Sequence, residues 1–554
     1  MRRSNARTAR DNSDKVITED SPRMDSAAKL HFRPARSVYR NPSRHNSKPK
    51  LILFTSIVLL LPFLCFIFAF SKNIRIKHTA KRDYGIVIDG GSTGTRIHVF
   101  EYEIRNGIPV FNFRENGLHS MKVNPGLSAY EEEPEMAAQA IDELVAFGKK
   151  IVPREFWGRT KIRLMATAGM RLLESEVQEM IMGVCRKVLK GSGFMFQDDW
   201  ATVIPGSDEG VYAWVVANYA LGTLGGNPEQ TTGILELGGA SAQVTFVSNE
   251  PLPQEYSSKI KFGNQTYNLY SHSLLHFGQN VAFDLLRESL VARGDDLGIG
   301  SLQSVKPMDP CTPRGYTHET EQWKFSPSQS AEKSRYLSAL NPNGNFSECR
   351  SAARLLLQKG KEKCAYESCD IGPAFIPKLQ GKFLATENFF HTSKFFGLAP
   401  KASLSDLMNA GKRFCEEDWS KLRSKYHSLA EEDLLRYCFS SAYIVALLHD
   451  SLGISLEDER IGYANQVDNI PLDWALGAFI MQSSTDLDEG SSSNGFASMF
   501  GGDFSTSLIA VFGIFVLLIF VAFYTRDWRN HPQLKTVYDL EKGKYIVKCV
   551  RRYS

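Results

Sequence analysis

The chain lacks a dominant charge. Its 65 lysines and arginines nearly match 61 acids, leaving +4 over 554 residues, which excludes a strong field over the whole molecule. Cysteine is scarce, 9 in all, and most of it is gathered between Cys311 and Cys438. The glycine-rich turn after Asp89 has no lysine, which excludes the Gly-Lys-Ser/Thr pattern of P-loop enzymes. Apolar runs long enough to cross a bilayer are confined to two places, near the two ends. The length suffices for two or more domains with substantial cores.

The two apolar runs are residues 51–70 and 507–524. The first lies too far from the start, and is too long, for a cleaved signal peptide, so it reads as a signal anchor. Basic residues crowd the first fifty positions (Arg2, Arg3, Arg7, Arg10 and others). Such an arm suits nucleic acid or the cytosolic flank of a span, and the run that follows selects the second. Asp486, Asp488, Glu489 and Asp503 precede the second run, and Arg526, Arg529, Lys535 and Lys542 follow it. The positive-inside rule puts the C-terminus in the cytosol. Two spans return the N-terminus there as well, so the middle of the chain faces the lumen or the cell exterior.

The cysteines and glycosylation signals agree. Cys311, Cys349, Cys364, Cys369, Cys415 and Cys438 form an even set, as in a disulfide framework, and sequence alone leaves their connectivity open. Cys185 lies on the apolar side of a helical pattern and reads as a buried thiol. Asn264-Gln265-Thr266 and Asn345-Phe346-Ser347 are N-glycosylation acceptors.

Ile86-Val87-Ile88-Asp89-Gly90-Gly91-Ser92-Thr93-Gly94-Thr95-Arg96 reads as strand, tight turn and return strand. Successive backbone N–H groups in such a turn form a nest for an anion. Asp89, at the strand end, suits a hydrated divalent metal. Gly233-Ile234-Leu235-Glu236-Leu237-Gly238-Gly239-Ala240-Ser241-Ala242-Gln243-Val244 repeats the plan. Two such hairpins imply two similar lobes presenting phosphate loops to one cleft, a layout that resembles the actin, sugar-kinase and Hsp70 superfamily.

Between them, residues 135–152 read as an amphipathic helix and residues 161–165 as a strand entering Ala166-Thr167-Ala168-Gly169-Met170-Arg171. Gly206-Ser207-Asp208-Glu209-Gly210 opens another helix. Glu209 there is either an acid complementing the helix dipole or a general base near the phosphate loops. Residues 432–452 read as a helix, and Asp473-Trp474-Ala475-Leu476-Gly477 opens a late one. Residues 1–50 read as a disordered cytosolic arm, 483–506 as a flexible linker and 525–554 as a basic cytosolic tail without a usable motif.

The first hairpin, Ala166 to Arg171, Gly206 to Gly210, Leu237 to Gln243 and Trp474 to Gly477 resemble, in order, the five conserved regions of the apyrase, or nucleoside triphosphate diphosphohydrolase, family. Within it the chain looks like the plant membrane-bound apyrases. The resemblance covers roughly residues 84–481. It implies a two-lobed, actin-like (RNase H-like) α/β ATPase fold, with residues 83–205 and 465–482 in lobe I and 206–464 in lobe II. It implies hydrolysis of nucleoside tri- or diphosphates with Ca2+ or Mg2+. By position, Ser92, Thr93, Gly94 and Thr95 would hold the terminal phosphate from one lobe, and Gly238, Gly239, Ala240 and Ser241 from the other. Glu209 would be the base, with Ser241 and Gln243 orienting the attacking water. Asp89, Thr167, Glu209, Glu236 and Trp474 would line the metal's water shell. The family pattern also suggests the pairs Cys311–Cys349, Cys364–Cys369 and Cys415–Cys438. Many relatives have Asp where this chain has Glu236, a departure that bears on metal geometry.

The leading expectation is therefore a membrane-integral nucleotide phosphohydrolase, with its catalytic domain in the lumen of the Golgi or other secretory membranes or outside the plasma membrane. A kinase or polyphosphatase of the same superfamily fits the disulfide set less well. The reading from another class is a nucleotide-binding membrane glycoprotein, a receptor or scaffold, of weak catalysis.

Overall fold

The structure, a computed structural model, describes residues 82–105, 108–113, 117–296, 306–317, 340–366, 369–493, 533–539 and 544–550. The basic arm and both apolar runs lie outside the described residues. Among the described residues no helix is long and apolar enough to cross a membrane.

Two six-stranded mixed sheets organise the ordered part. The first starts with the hairpin β1 (Asp83–Gly90) and β2 (Thr95–Arg105), whose far edge takes β3 (Ile108–Phe111) and β4 (Leu118–Val123). On the other side β5 (Lys161–Ala166) runs parallel to β1, and β6 (Ala201–Val203) parallel to β5. The second sheet repeats this order. Its hairpin is β7 (Gly233–Leu237) and β8 (Ser241–Val247), continued by β10 (Gln265–Leu275) and β9 (Ser257–Phe262). On β7's other side lie the parallel strands β11 (Phe383–Glu387) and β12 (Ile461–Tyr463).

The central strands show why their sequences are continuously apolar. In β1, Ile86 and Ile88 enter one core with helices α1 (Ala137–Ile151) and α2 (Ser175–Lys190), while Val87 enters another on the opposite face. A strand covered on both faces has no polar side to alternate with. Cys185 of α2 is buried, and burial pushes its thiol up to about 12, leaving it protonated and inert.

The second face of β1 packs on α3 (Gly206–Ala220) and α9 (Trp474–Ser493), which also receive Ile234 and Tyr267 of the second sheet. Sandwiched between two sheets, α3 is apolar nearly all round, from Val211 to Ala217. Gly477 explains part of the late motif. A Cβ there would lie 1.9 Å from the Tyr212 carbonyl oxygen, so only glycine lets α9 approach α3 this closely. Helix α9 continues to Ser493, into the segment expected as a linker; residues 484–489 contain no proline or glycine to stop it.

The outer face of the second sheet carries α4 (Gln279–Asp296), α5 (Phe346–Leu357), α6 (Asn388–Phe395), α7 (Leu404–Cys415) and α8 (Glu431–Val445). The expected helix through residues 432–452 becomes α8 followed by a π-helical turn, Ala446–Ser451. Bridges Cys311–Cys349, Cys364–Cys369 and Cys415–Cys438 are formed in this region. Asn264 is exposed at the β9–β10 turn, whereas the Asn345 side chain accepts from the Glu348 N–H and caps α5. In the tail, Gln533–Asp539 pairs antiparallel with Lys544–Val550, a hairpin that hydrophilic composition did not announce.

Candidate active site

Both hairpin turns open onto one cavity of about 760 Å³. It is lined by Asp89, Ser92, Thr93, Gly94, Thr167, Glu209, Glu236, Gly238, Gly239, Ala240, Ser241 and Trp474. The two turns meet: a Cβ on Gly239 would sit 2.7 Å from Ser92 Oγ, so the second turn must be glycine where it faces the first.

The second turn is held from behind. The Gly238 carbonyl accepts from the Gln279 N–H at 2.9 Å, and the Gly239 carbonyl accepts from Asn280 and Val281 at 2.9 and 3.1 Å. With its carbonyls directed at the start of α4, the N–H groups of Gly239 and Ala240 donate to no backbone carbonyl among the described residues. The same holds for Ser92, Thr93 and Gly94 in the first turn. Free N–H groups from two turns converging on one cavity make an anion-binding concavity.

Two expected residues sit off the cavity wall. Thr95 is fully buried at the start of β2, registered between Gly90 and Val123, and its hydroxyl has no hydrogen-bond partner. Gln243 lies behind Ser241 and is 1% exposed, with its Nε2 donating to Ser241 Oγ at 2.6 Å and to Ser273 Oγ at 3.1 Å. The amide thereby fixes the Ser241 hydroxyl.

Glu209 stands in the first turn of α3 and is buried. Arg171 Nη2 donates to its Oε2 at 2.8 Å and lies 3.4 Å from Ser241 Oγ. Burial pushes the Glu209 carboxyl up and the Arg171 guanidinium pulls it down, with burial the larger effect. A carboxylate raised towards neutrality is suited to take a proton from water.

The remaining acids repel one another. Asp89 and Glu236 are both pushed well above the usual carboxylate range, first by burial, then by Asp473 and Glu209 for Asp89 and by Glu209 and Glu387 for Glu236. Asp89 Oδ1 and Glu236 Oε2 are buried without a hydrogen-bond partner, and Glu236 is only 4% exposed. Such orphaned oxygens fit a divalent cation. Among the described residues no three acidic, histidine or cysteine groups are close enough to grip a bare ion. The donor set therefore fits an ion that keeps its water, and Asp89, Thr167, Glu209 and Glu236 are the lining residues that would face such a shell. Trp474 lines the same wall and stacks on Tyr212.

Sequence reasoning missed Arg96, Lys122, Arg171, Glu387 and Asp473. Arg96 Nη1 is 3.6 Å from Asp473 Oδ2, and buried His98 lies 3.4 Å from the same oxygen. Asp473 also accepts from the Ala475 N–H at 2.9 Å, a helix-capping signal readable in the sequence. Glu387 and Lys122 left no local signal. Phe283, His391, Arg436 and Tyr437 also line the cavity.

Paired anion-binding turns, a buried carboxylate of raised pKa and a place for a hydrated cation define a phosphate-transferring enzyme. The chain belongs to the GDA1/CD39 (nucleoside phosphatase) family, matched over residues 75–490, and is a hydrolase of the apyrase type. It is 54% identical over 561 residues to Probable apyrase 6 of Arabidopsis thaliana, covering 100% of both chains. It is 31% identical over 420 residues to Ectonucleoside triphosphate diphosphohydrolase 5 of Mus musculus, covering 74% of this chain and 89% of that one. Among solved structures it resembles nucleoside triphosphate hydrolases from Neospora caninum, with TM-score 0.55 at 16% identity, covering 79% of this chain and 99% of the other. That likeness concerns the fold.

Proposed function

We propose that the protein hydrolyses the terminal phosphate of nucleoside tri- or diphosphates with an activated water and a divalent cation. The observation that carries this is the meeting of two turns with free N–H groups beside buried Glu209, Ser241 and Gln243. The turns bind the terminal phosphate, and their N–H groups take up charge as it develops. Ser241, its hydroxyl fixed by Gln243, orients the water. Glu209 accepts the water's proton at a carboxylate oxygen, and Arg171 steadies that carboxylate. A Ca2+ or Mg2+ ion supplies neutralisation of phosphate charge, and Asp89, Thr167, Glu209, Glu236 and Trp474 would line its water shell. Phosphoryl transfer to water is largely positioning and charge stabilisation, so no nucleophilic side chain is required.

The proposal includes a two-pass membrane topology with both termini cytosolic and the catalytic part in a secretory lumen or outside the cell. Its supports are the apolar runs, the charge asymmetry around the second, and three disulfides in the part between.

The test uses the full-length chain purified in detergent. Phosphate release is measured from ATP, ADP, UDP, GDP, UTP and GTP with Ca2+ or Mg2+, then after chelation. Release that stops on chelation and returns with added cation is the expected result. A folded protein that binds nucleotide and releases no phosphate from any of them points instead to a receptor or scaffold.

A further inference from the structure

We propose that Glu387 is a further positioning residue for the cation, accepting hydrogen bonds from its water shell from the corner where β11 ends. This rests on the metal-dependent reading above.

The corner is built for a purpose other than packing. Glu387 has φ 55° and ψ −122°, a backbone conformation that side-chain-bearing residues rarely adopt and that persists only where neighbours enforce it. Asn465 enforces it: its Oδ1 accepts from the Glu387 N–H at 2.8 Å. Asn388 ties the same corner to the second phosphate turn, its Nδ2 donating to the Leu237 carbonyl at 2.8 Å. The carboxylate is not folded away but lines the cavity.

The internal repeat gives the corner its meaning. Gly90 is registered with Ala166 on β5, and Leu237 is registered with Glu387 on β11. Glu387 thus occupies the place held in the first sheet by Ala166, and Asn388 the place of Thr167. Where the first sheet has a methyl group, the second has a carboxylate.

Charge makes the case independently. Asp89, Glu209, Glu236, Glu387 and Asp473 all line the cavity. Arg171 is paired with Glu209 and Arg96 with Asp473. Asp89, Glu236 and Glu387 remain, with Lys122 as the cation beside them. Acids outnumber bases along the whole lining, which also holds Asp284, Glu432 and Asp433 against Arg287 and Arg436, and a divalent cation offsets part of that excess. Glu236 is buried and aimed into this space with an oxygen that has no partner. An anionic phosphate chain entering without a cation meets three like charges, and Glu387 strengthens that selection.

The test compares wild type, Glu387→Gln and Glu387→Asp as full-length chains in detergent. One readout is the rise in unfolding temperature on titrating Ca2+ alone, without nucleotide. The other is the Ca2+ or Mg2+ concentration giving half-maximal phosphate release. Glu387→Gln should shift both midpoints upward by roughly tenfold, the scale for losing an outer-shell partner, with the nucleotide KM at saturating cation unchanged. Glu387→Asp keeps the charge and should recover most of the loss; if the Gln variant does not fold, Glu387→Ser takes its place with the same upward shift expected. Midpoints of the Gln or Ser variant that coincide with wild type overturn the proposal, whether or not the KM moves. The calcium-induced shift needs no turnover. A chain stabilised by Ca2+ through Glu387 that releases no phosphate would sink the hydrolase reading and leave this one standing. Phosphate release indifferent to Glu387→Gln would do the reverse.

Discussion

The two phosphate hairpins close alike and work differently. Each turns over four residues, from Gly90 to Thr95 and from Leu237 to Ala242, so Asp89 corresponds to Glu236. Opposite Asp89 on the return strand is Arg96; opposite Glu236 is Gln243. The first acid faces a cation, itself tied to Asp473. The second faces a neutral amide that holds Ser241. On the proposed mechanism both turns bind phosphate, and the second hairpin alone adds a hydroxyl fixed to orient water. The two copies share one scaffold and differ in the residue opposite the acid.

The comparison breaks most sharply at Glu209, which serves the second hairpin. Glu209→Gln keeps the shape beside Ser241 and removes the base, so kcat should fall by about 10²- to 10⁴-fold with nucleotide binding retained, as followed by phosphate release and equilibrium binding. A variant of near-native kcat would dismiss this carboxylate as the base. Next in size is the contact between the hairpins. Gly239→Ala puts a Cβ against Ser92 and wedges the turns apart, so kcat/KM should drop by roughly 10²-fold while the unfolding temperature changes little. Unaltered kinetics would mean that the turns are not held together during catalysis.

How much of this was legible in the sequence follows physical lines. The hairpins could be read because each puts an apolar run, an acid and glycines in one local segment, and the order of five such segments carried the family. Glu209 and Ser241 could be placed for the same reason. Arg171 stood inside a quoted motif, yet its partner is Glu209, far along the chain, and only folding brings them to 2.8 Å. Glu387 ends an ordinary strand and lines the cavity because β11 lies beside β7. Thr95 stands beside the turn in sequence, and its full burial at the start of β2 could not be read there. The extension of α9 was not expected because small, polar composition suggested a linker, although no proline or glycine interrupts residues 484–489 and the helix runs on through Gly490.

The unequal charge around the two hairpins also sets how stability responds to pH. Asp89, Glu236 and Glu387 have folded-state pKa values raised by burial and mutual repulsion. The cation-free folded state therefore binds more protons than the unfolded one above the ordinary carboxylate range of about 4, and its stability falls as pH rises through the raised values. Calorimetry without cation should show a lower unfolding temperature at neutral than at mildly acidic pH, and Ca2+ should reduce that slope. Activity should run the other way, rising with pH as Glu209 loses its proton. A cation-free protein whose unfolding temperature climbs steadily to neutral pH would show that these acids are not strained together.

The smallest change restores the first hairpin's acid in the second. Glu236→Asp withdraws the carboxylate by one methylene on a strand whose backbone is fixed between β8 and β11. Charge is kept, so the rate should change by less than about tenfold. The geometry of the water shell is not kept. Calcium holds its oxygens at about 2.3–2.6 Å and tolerates irregular shells, whereas magnesium demands about 2.0–2.1 Å and a near-octahedral set. A shorter acid leaves more room, so the ratio of activity with Ca2+ to activity with Mg2+ should rise. If the ratio stays fixed while the rate shifts, Glu236 acts on Glu209 by charge alone. The asymmetry between the hairpins then lies wholly in Arg96 and Gln243, and the departure at Glu236 is a passenger on it.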